Sequence, residues 1–296
     1  MILDEHAVAR LLRMEDLIPA IAAALADFSA GRTVMPGRVV VPVADHGGFF
    51  GVMPAYAAGA LGAKLVTWFP NNRDVPTHHA IIQLFKPETG EPLVTMDGTL
   101  ITEMRTGAAS AVATDLLARK DASTLAIIGS GVQARSHLHA LRLVRQFSDV
   151  RVWSPRHADR FASQFGVRAT SSAEDAVRGA DVIVVATMSR TPVVQGAWVS
   201  PGAPVSAVGA VRPDWRELDD DLVTRARLFV ESREAALRES GDAKKNGCVV
   251  AEIGELVART AHGRGSDDEI TLYKSVGVAV EDVAAAHLVY LRAHHP

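Results

Sequence analysis

The chain carries a single cysteine, Cys248, so it has neither a disulfide framework nor a thiolate metal site. It lacks a strong excess of either charge. A formal net charge of −3 provides no basic stripe to neutralise phosphates, which argues against nucleic acid as its main partner. No run of about 18 apolar residues is present, which excludes a helical membrane span. The opening Met1-Ile-Leu-Asp-Glu-His has neither the basic start nor the apolar core of a secretory signal. Internal repeats and low-complexity tracts are missing. No set of His, Asp and Glu has the spacing of metal ligands. What remains is a soluble, cytoplasmic α/β protein with no metal, no nucleic acid and no membrane among its expected partners.

What is present is apolar bulk and one punctuated turn. Apolar residues make up 48% and charged residues 22% of 296 positions, enough core for two domains. The stretch Thr124-Leu-Ala-Ile-Ile-Gly129-Ser-Gly131-Val-Gln-Ala134 runs from β-branched and apolar residues into two glycines, with a small residue three positions on. A strand that turns there and leaves as a helix aims backbone N–H groups at the pyrophosphate of a dinucleotide. Gly129 tightens the turn, Gly131 lets phosphate approach, and Ala134 lets helix pack on strand. The bare pattern is common, but its context supports it. Strands at 124–128, 150–153, 182–186, 205–208 and 228–230 alternate with helices at 132–145, 158–165 and 173–178, the rhythm of a doubly wound parallel sheet.

The region before this unit reads differently. Helices at 5–12 and 17–30 precede strands at 38–43, 51–53, 63–69 and 80–85. A turn at Pro87-Glu-Thr-Gly90 then joins the last of these to a strand at 92–97. A small-residue helix at 106–118 leads into the dinucleotide unit, and a helix at 278–293 adds no strand to that unit and is expected to return to the first part. Ala261–Asp268 reads as a surface loop.

Several segments together resemble the ornithine cyclodeaminase/μ-crystallin family: Met53-Pro-Ala-Tyr56, Gly62-Ala-Lys64, Met96-Asp-Gly98, Arg105-Thr-Gly-Ala-Ala-Ser-Ala111 and the Gly129–Ala134 turn. So do Val208–Asp220, Glu231–Asp242 and Lys274–Asp282. They run from about residue 36 to the C-terminus, and Arg212-Pro-Asp-Trp-Arg-Glu-Leu-Asp219 is similar to the μ-crystallin branch in particular. The resemblance implies a homodimer. It also implies a Rossmann NAD(P)-binding domain at 119–274 and an α+β substrate-binding and dimerisation domain from 1–118 plus 275–296. The activity it implies is NADPH-dependent reduction of cyclic ketimine carboxylates such as Δ1-pyrroline-2-carboxylate or Δ1-piperideine-2-carboxylate. Two other readings stay open: an amino-acid dehydrogenase or reductive aminase acting on open-chain imines, and a crystallin-like, thyroid-hormone-binding type of protein without turnover.

Such chemistry needs a clamp for the carboxylate and a proton for the imine nitrogen. Guanidinium groups suit the clamp, and Arg38 and Arg105 match the family's carboxylate-binding positions; an interdomain ion pair is the plainer alternative. Lys64, in the apolar context Ala63-Lys64-Leu-Val, is either an edge lysine reaching water or a desolvated amine, and the resemblance makes it the proton donor. Met53 is expected to border the substrate. Of the adjacent His78 and His79, strand alternation allows only one to line a pocket, with His79 the better placed by position.

Two missing acids sharpen the reading. Cyclodeaminases carry an aspartate where this chain has Val211, and the nearby Asp214 belongs to a Pro-Asp-Trp turn. The end of the second strand has Ser154, Arg156 and His157 in place of the acid that binds the NAD ribose, which favours NADP. The cofactor is therefore expected on Gly129, Ser130, Gly131, Val132 and Gln133, on Ser154, Arg156 and His157, and on Thr187, Val208 and Lys274, with Ser275 beside the last.

Overall fold

The computed structural model describes residues 1–294, and the chain divides into two compact units. One comprises Met1–Arg105 and the segment from Gly277 onward; the other is Thr106–Val276. The seam falls inside the helix α3 (Thr99–Leu117), in place of the expected position at 118, and the return falls at 277 in place of 275. Small residues explain the shift. A side chain at Gly107 would strike Ser136, and the Ser110 hydroxyl meets His137 Nε2 at 2.8 Å, so this stretch of α3 packs into the second unit.

The first unit is a six-stranded sheet with helices. Its strands are β1 (Ile2–Leu3), β2 (Val39–Val43), β3 (Gly48–Ala57), β4 (Ala60–Trp68), β5 (His78–Phe85) and β6 (Pro92–Asp97), in the order β1-β6-β5-β4-β3-β2. Only the β1–β6 pair is parallel. Helices α1 (Glu5–Leu11) and α2 (Met14–Ser29) lie between β1 and β2 in the chain, and the last helix, α11 (Ala279–His294), packs on β3, β4, β5 and α2. The expected short strands widen here into a long hairpin. Ala58 and Gly59 both take positive φ, 52° and 72°, which is the two-residue turn that matches strand twist. With an alanine in the first position, that turn carries little sequence signal.

Strand alternation gives this sheet two unlike faces. Met53, Lys64, Ile82 and Leu84 are buried on one. Val39, Val41, Tyr56, Leu61 and Ile81 stand exposed on the other.

The second unit is a parallel sheet of eight strands: β7 (Thr124–Ile128), β8 (Asp149–Trp153), β9 (Arg168–Ala169), β10 (Val182–Val185), β11 (Pro204–Ala207), β12 (Arg227–Val230), β13 (Val249–Glu252) and β14 (Thr271–Lys274). Their order is β13-β12-β14-β11-β10-β7-β8-β9. From β7 the chain winds outward through β8 and β9, then returns to build the other half from β10. The switch between β7 and β10 is the place where open parallel sheets bind ligands. Helices α4 (Val132–Val144), α5 (Ala158–Phe165), α6 (Ala173–Val177), α7 (Asp220–Arg225), α8 (Arg233–Glu239), α9 (Gly241–Asn246) and α10 (Ile253–Val257) connect the strands. The five strands expected from sequence are all present, with three more added. β14 went unseen because four residues after an acidic loop show no periodicity, yet it lies near the middle of the sheet and is wholly buried. Among the described residues no helix is long and apolar enough to cross a membrane.

Candidate active site

In the first unit, register builds the site. Met53 lies opposite Lys64 on β3 and β4, and Lys64 lies opposite Ile82 on β5, so the lysine rises from the buried face between apolar neighbours. It is 2% exposed. Helix α11 covers that face with Glu281 and Asp282 in its first turn, where the helix dipole favours negative charge. Lys64 Nζ stands 2.7 Å from Asp282 Oδ2. Arg105 bridges both acids, at 3.1 Å from Asp282 Oδ1 and 2.7 Å from Glu281 Oε2. Arg38 donates to the Gly277 carbonyl at 2.6 Å. Gly277 adopts φ +71°, and a side chain there would collide with the Arg105 guanidinium, so both backbone and space demand glycine.

Electrostatics follow from this packing. Loss of hydration lowers the Lys64 ammonium to about 8, with Arg105 and Arg38 adding repulsion, while Asp282 opposes the fall. Burial alone would raise the Asp282 carboxyl, but Lys64 and Arg105 hold it below the usual range. His78 sits in the same field: burial first, then Lys64 and Arg105, lower it to about 4, which leaves it neutral. His79, the histidine expected at the pocket, is exposed on the opposite face of β5. The alternation that separates the two residues assigns His78 to the face of Lys64.

Arg38, Met53, Lys64 and Arg105 are thus brought together around one buried charge cluster. Its carboxylates were not anticipated. A signal existed, since two adjacent acids open a helix whose next residues, Val283–Ala286, are all apolar and buried.

In the second unit the phosphate turn has the geometry its sequence suggested. Gly129 takes φ +122°, and a Cβ there would strike the Ala186 carbonyl. Around Gly131 a side chain would meet nothing within 4 Å, and Gly131 caps the 13-residue α4 without a side-chain hydrogen bond. Open space at a helix start with N–H groups unclaimed by a side-chain cap fits a pyrophosphate. Val132 is exposed there, and the buried Gln133 Oε1 has no hydrogen-bond partner among the described residues. Ser130 Oγ donates to Ser154 Oγ at 2.8 Å, and the His157 N–H donates to the same hydroxyl at 3.1 Å. Arg156 and His157 are exposed on this turn. Asp149, at the far end of β8, is paired with Arg151 and Arg168.

Thr187, Val208 and Lys274 follow or end the neighbouring strands β10, β11 and β14, at the carboxyl edge of the sheet. Thr187 donates both its N–H and its hydroxyl to Glu217 Oε1, at 2.9 and 2.7 Å. Val208 N–H bonds the Val185 carbonyl. Lys274, expected as a direct cofactor contact, is completely buried and donates to the Gly209 carbonyl, with Glu217 at 3.7 Å and Asp242 at 4.0 Å. Its charge holds the protein's own loop. Gly209 is forced by the same packing, since a side chain would collide with Thr187 and Glu217. Ser275 behaves alike, donating to buried Glu231.

These features define a Rossmann-type dinucleotide-binding α/β protein whose other unit buries a cluster of cations and carboxylates. The sequence matches the ornithine cyclodeaminase/mu-crystallin family over residues 1–295. The chain belongs to that family. It is 50% identical over 288 residues to the ketimine reductase mu-crystallin of Mus musculus, an alignment covering 93% of this chain and 91% of the mouse protein. The structure of Thermococcus litoralis Δ1-pyrroline-2-carboxylate reductase, bound to NADH and L-proline, superposes with a TM-score of 0.94 at 39% identity, covering 100% and 98% of the two chains. An archaeal alanine dehydrogenase dimer with bound NAD gives 0.95 at 37% identity, covering 100% and 96%.

Proposed function

We propose that this protein uses NADPH to reduce cyclic ketimines bearing a carboxylate on the C=N carbon, with Δ1-pyrroline-2-carboxylate and Δ1-piperideine-2-carboxylate as substrates. It is an NAD(P)H-dependent oxidoreductase acting on the CH–NH group. The observation that carries the substrate class is the Lys64 cluster. It gathers Arg38, Lys64 and Arg105 in one field beside Glu281 and Asp282, and these are cationic groups of the kind that grip a substrate carboxylate. Arg38 and Arg105 clamp that carboxylate, Met53 borders the ring, and Lys64 supplies the proton to the imine nitrogen. Reduced nicotinamide, when bound, supplies the hydride.

On the cofactor side, Gly129–Gln133 cradle the pyrophosphate. Ser154, Arg156 and His157 take the adenosine ribose and its 2′-phosphate; no acid on that turn competes for the hydroxyl. Lys274 and Glu217 fix the loops carrying Gly209 and Thr187 without touching the cofactor.

Ornithine is not a substrate in this reading. Val211 is exposed where cyclodeaminases place aspartate, and Asp214 is exposed on its own turn. The protein works as a homodimer, joined through the apolar sheet face of Val39, Val41, Tyr56, Leu61 and Ile81, which is more exposed hydrophobic surface than a monomer needs. Sedimentation at micromolar concentration reads that state directly.

Following NADPH consumption with each cyclic imine, and identifying the amino acid formed, tests the activity. Turnover yielding proline or pipecolate is expected. Tight binding of the imine with no NADPH oxidation would replace this reading with a non-catalytic ligand-binding protein.

A further inference from the structure

We propose that Asp282 is the positioning residue of this site, the carboxylate that fixes both the charge and the direction of the Lys64 amine. The proposal rests on the reading of Lys64 as proton donor. An ammonium buried on the apolar face of a sheet tends to give up its proton unless a counter-charge is built beside it. The groups around Lys64 come from every element packed there. Met53 and Ile82 flank it in the sheet and offer nothing polar. His78 of β5 is neutral. Arg38, just before β2, and Arg105 of α3 repel it.

The two acids of α11 divide the work. Glu281 pairs with Arg105 at 2.7 Å and accepts the Val278 N–H at 3.3 Å. Asp282 alone reaches the amine, with Oδ2 2.7 Å from Nζ, while Oδ1 holds Arg105 at 3.1 Å. One carboxylate therefore anchors the clamp arginine and the proton donor at a fixed spacing. Direction comes with charge, because the amine is held on the α11 side of the sheet.

The step this prepares is balanced. One N–H bond of the Lys64 ammonium breaks as an N–H bond forms on the imine nitrogen, giving the iminium. Reduced nicotinamide, when bound, would supply the hydride for the new C–H bond, with the C=N π pair returning to nitrogen, so that the imine would be reduced and the nicotinamide oxidised. The neutral Lys64 amine recovers its proton from solvent, and Asp282 favours that recharging. Asp282 itself touches neither substrate nor cofactor in this scheme.

Only the charged amine is active, so turnover should decline as pH rises through about 8. Removing Asp282 removes what raises the amine, so the decline must move to lower pH. The test compares pH profiles of kcat in wild type, Asp282→Asn and Asp282→Glu, with the titration of Lys64 followed separately by NMR on lysine-labelled protein and assigned with Lys64→Met. Asp282→Asn should move both the alkaline limb and the Lys64 titration down by about 1–3 pH units. Asp282→Glu should restore most of that shift while lowering kcat, because the longer arm displaces the amine.

A purely structural aspartate would lower activity at all pH values and leave the limb in place, which would overturn the proposal. If neither variant folds, wild type still decides: a Lys64 amine already neutral at about pH 6 with Asp282 in place would overturn it, because the carboxylate would then fail to hold the charge. If wild type reduces no cyclic imine, yet Lys64 titrates near 8 and shifts in Asp282→Asn, the proposed activity fails and the Asp282–Lys64 coupling stands.

Discussion

Each unit buries one ionic cluster, and the two clusters are built on different rules. In the first unit, Arg38, Lys64 and Arg105 come from separate segments, while Glu281 and Asp282 share one helical turn. In the second unit, Glu217 and Asp242 meet Lys274, and Asp242 also meets Arg216, which pairs in turn with the exposed Asp220. There the remaining bonds go to backbone: Lys274 to Gly209, Asp242 from the N–H groups of Glu217 and Leu218, and Glu217 from that of Thr187. Both clusters are buried and both perturb proton affinities, Glu217 being raised by burial to about 7. Burial and perturbation therefore do not distinguish a reactive site from a structural clasp. What differs is the anchor of each lysine: Lys64 Nζ faces the Asp282 carboxylate, whereas Lys274 Nζ is also bonded to the Gly209 carbonyl of the chain.

The largest effect that could break this contrast is Lys64→Met. Losing a positioned acid should reduce kcat by about 10²–10⁴-fold, with NADPH affinity nearly unchanged. Stability should fall as well, since Asp282 loses a buried partner at 2.7 Å and keeps Arg105. Arg38→Met should act mainly on KM, because a carboxylate clamp is felt in ground and transition states alike. A Lys64→Met enzyme with intact kcat and raised KM would make the lysine a second clamp.

Next comes Lys274→Met, which should show the opposite signature. Removing one partner of a buried ion pair typically costs about 3–5 kcal/mol of stability. The loss should be measurable by denaturant unfolding, and affinity for NADPH and NADH should weaken alike. Its pH dependence follows from Glu217. A carboxyl whose folded pKa is raised contributes stability that is full below its unfolded value, about 4.5, and lost as pH rises through about 7. Without Lys274 the folded value climbs further, and neutral Glu217 avoids an unpaired charge. The deficit should therefore be smaller near about pH 6 than near about pH 8.5. A stable variant with a selective loss of kcat would return Lys274 to the reactive class.

The smallest expected effect lies outside both clusters. If Arg156 holds the 2′-phosphate as proposed, Arg156→Ala removes a charge-assisted contact worth on the order of 1.5–3 kcal/mol, so NADPH binding should weaken roughly ten- to a hundredfold while NADH binding holds. Equal affinity of the wild type for the two cofactors would sink the assignment of Arg156. Together with Lys274→Met, this separates cofactor choice on an exposed turn from cofactor support in a buried clasp.

Much of the second unit was legible because its determinants are local. Strand, glycine turn and helix follow one another between Thr124 and Val144, so composition and spacing report the turn directly. β14 was not legible, since four residues acquire strand form only by lying between β11 and β12. That omission also misdirected Lys274: a lysine read on a loop faces a ligand, whereas the same lysine at the end of a central strand faces the protein. In the first unit, Lys64, Arg38 and Arg105 could be named only through the family resemblance, because a lysine in an apolar strand reads equally well as a solvated edge residue.

By itself, then, the sequence determined the dinucleotide turn, the absence of an acid beside Ser154 and Arg156, and the alternation that makes one face of the first sheet apolar. All of these depend on residues within a few positions of each other, where backbone geometry dictates who meets whom. Tertiary structure alone decided that Asp282 reaches Lys64 across 218 positions, that Glu281 takes Arg105, and that His78 rather than His79 enters their field. Those pairings depend on where α11 comes to lie on the sheet, and that placement follows from packing the whole unit.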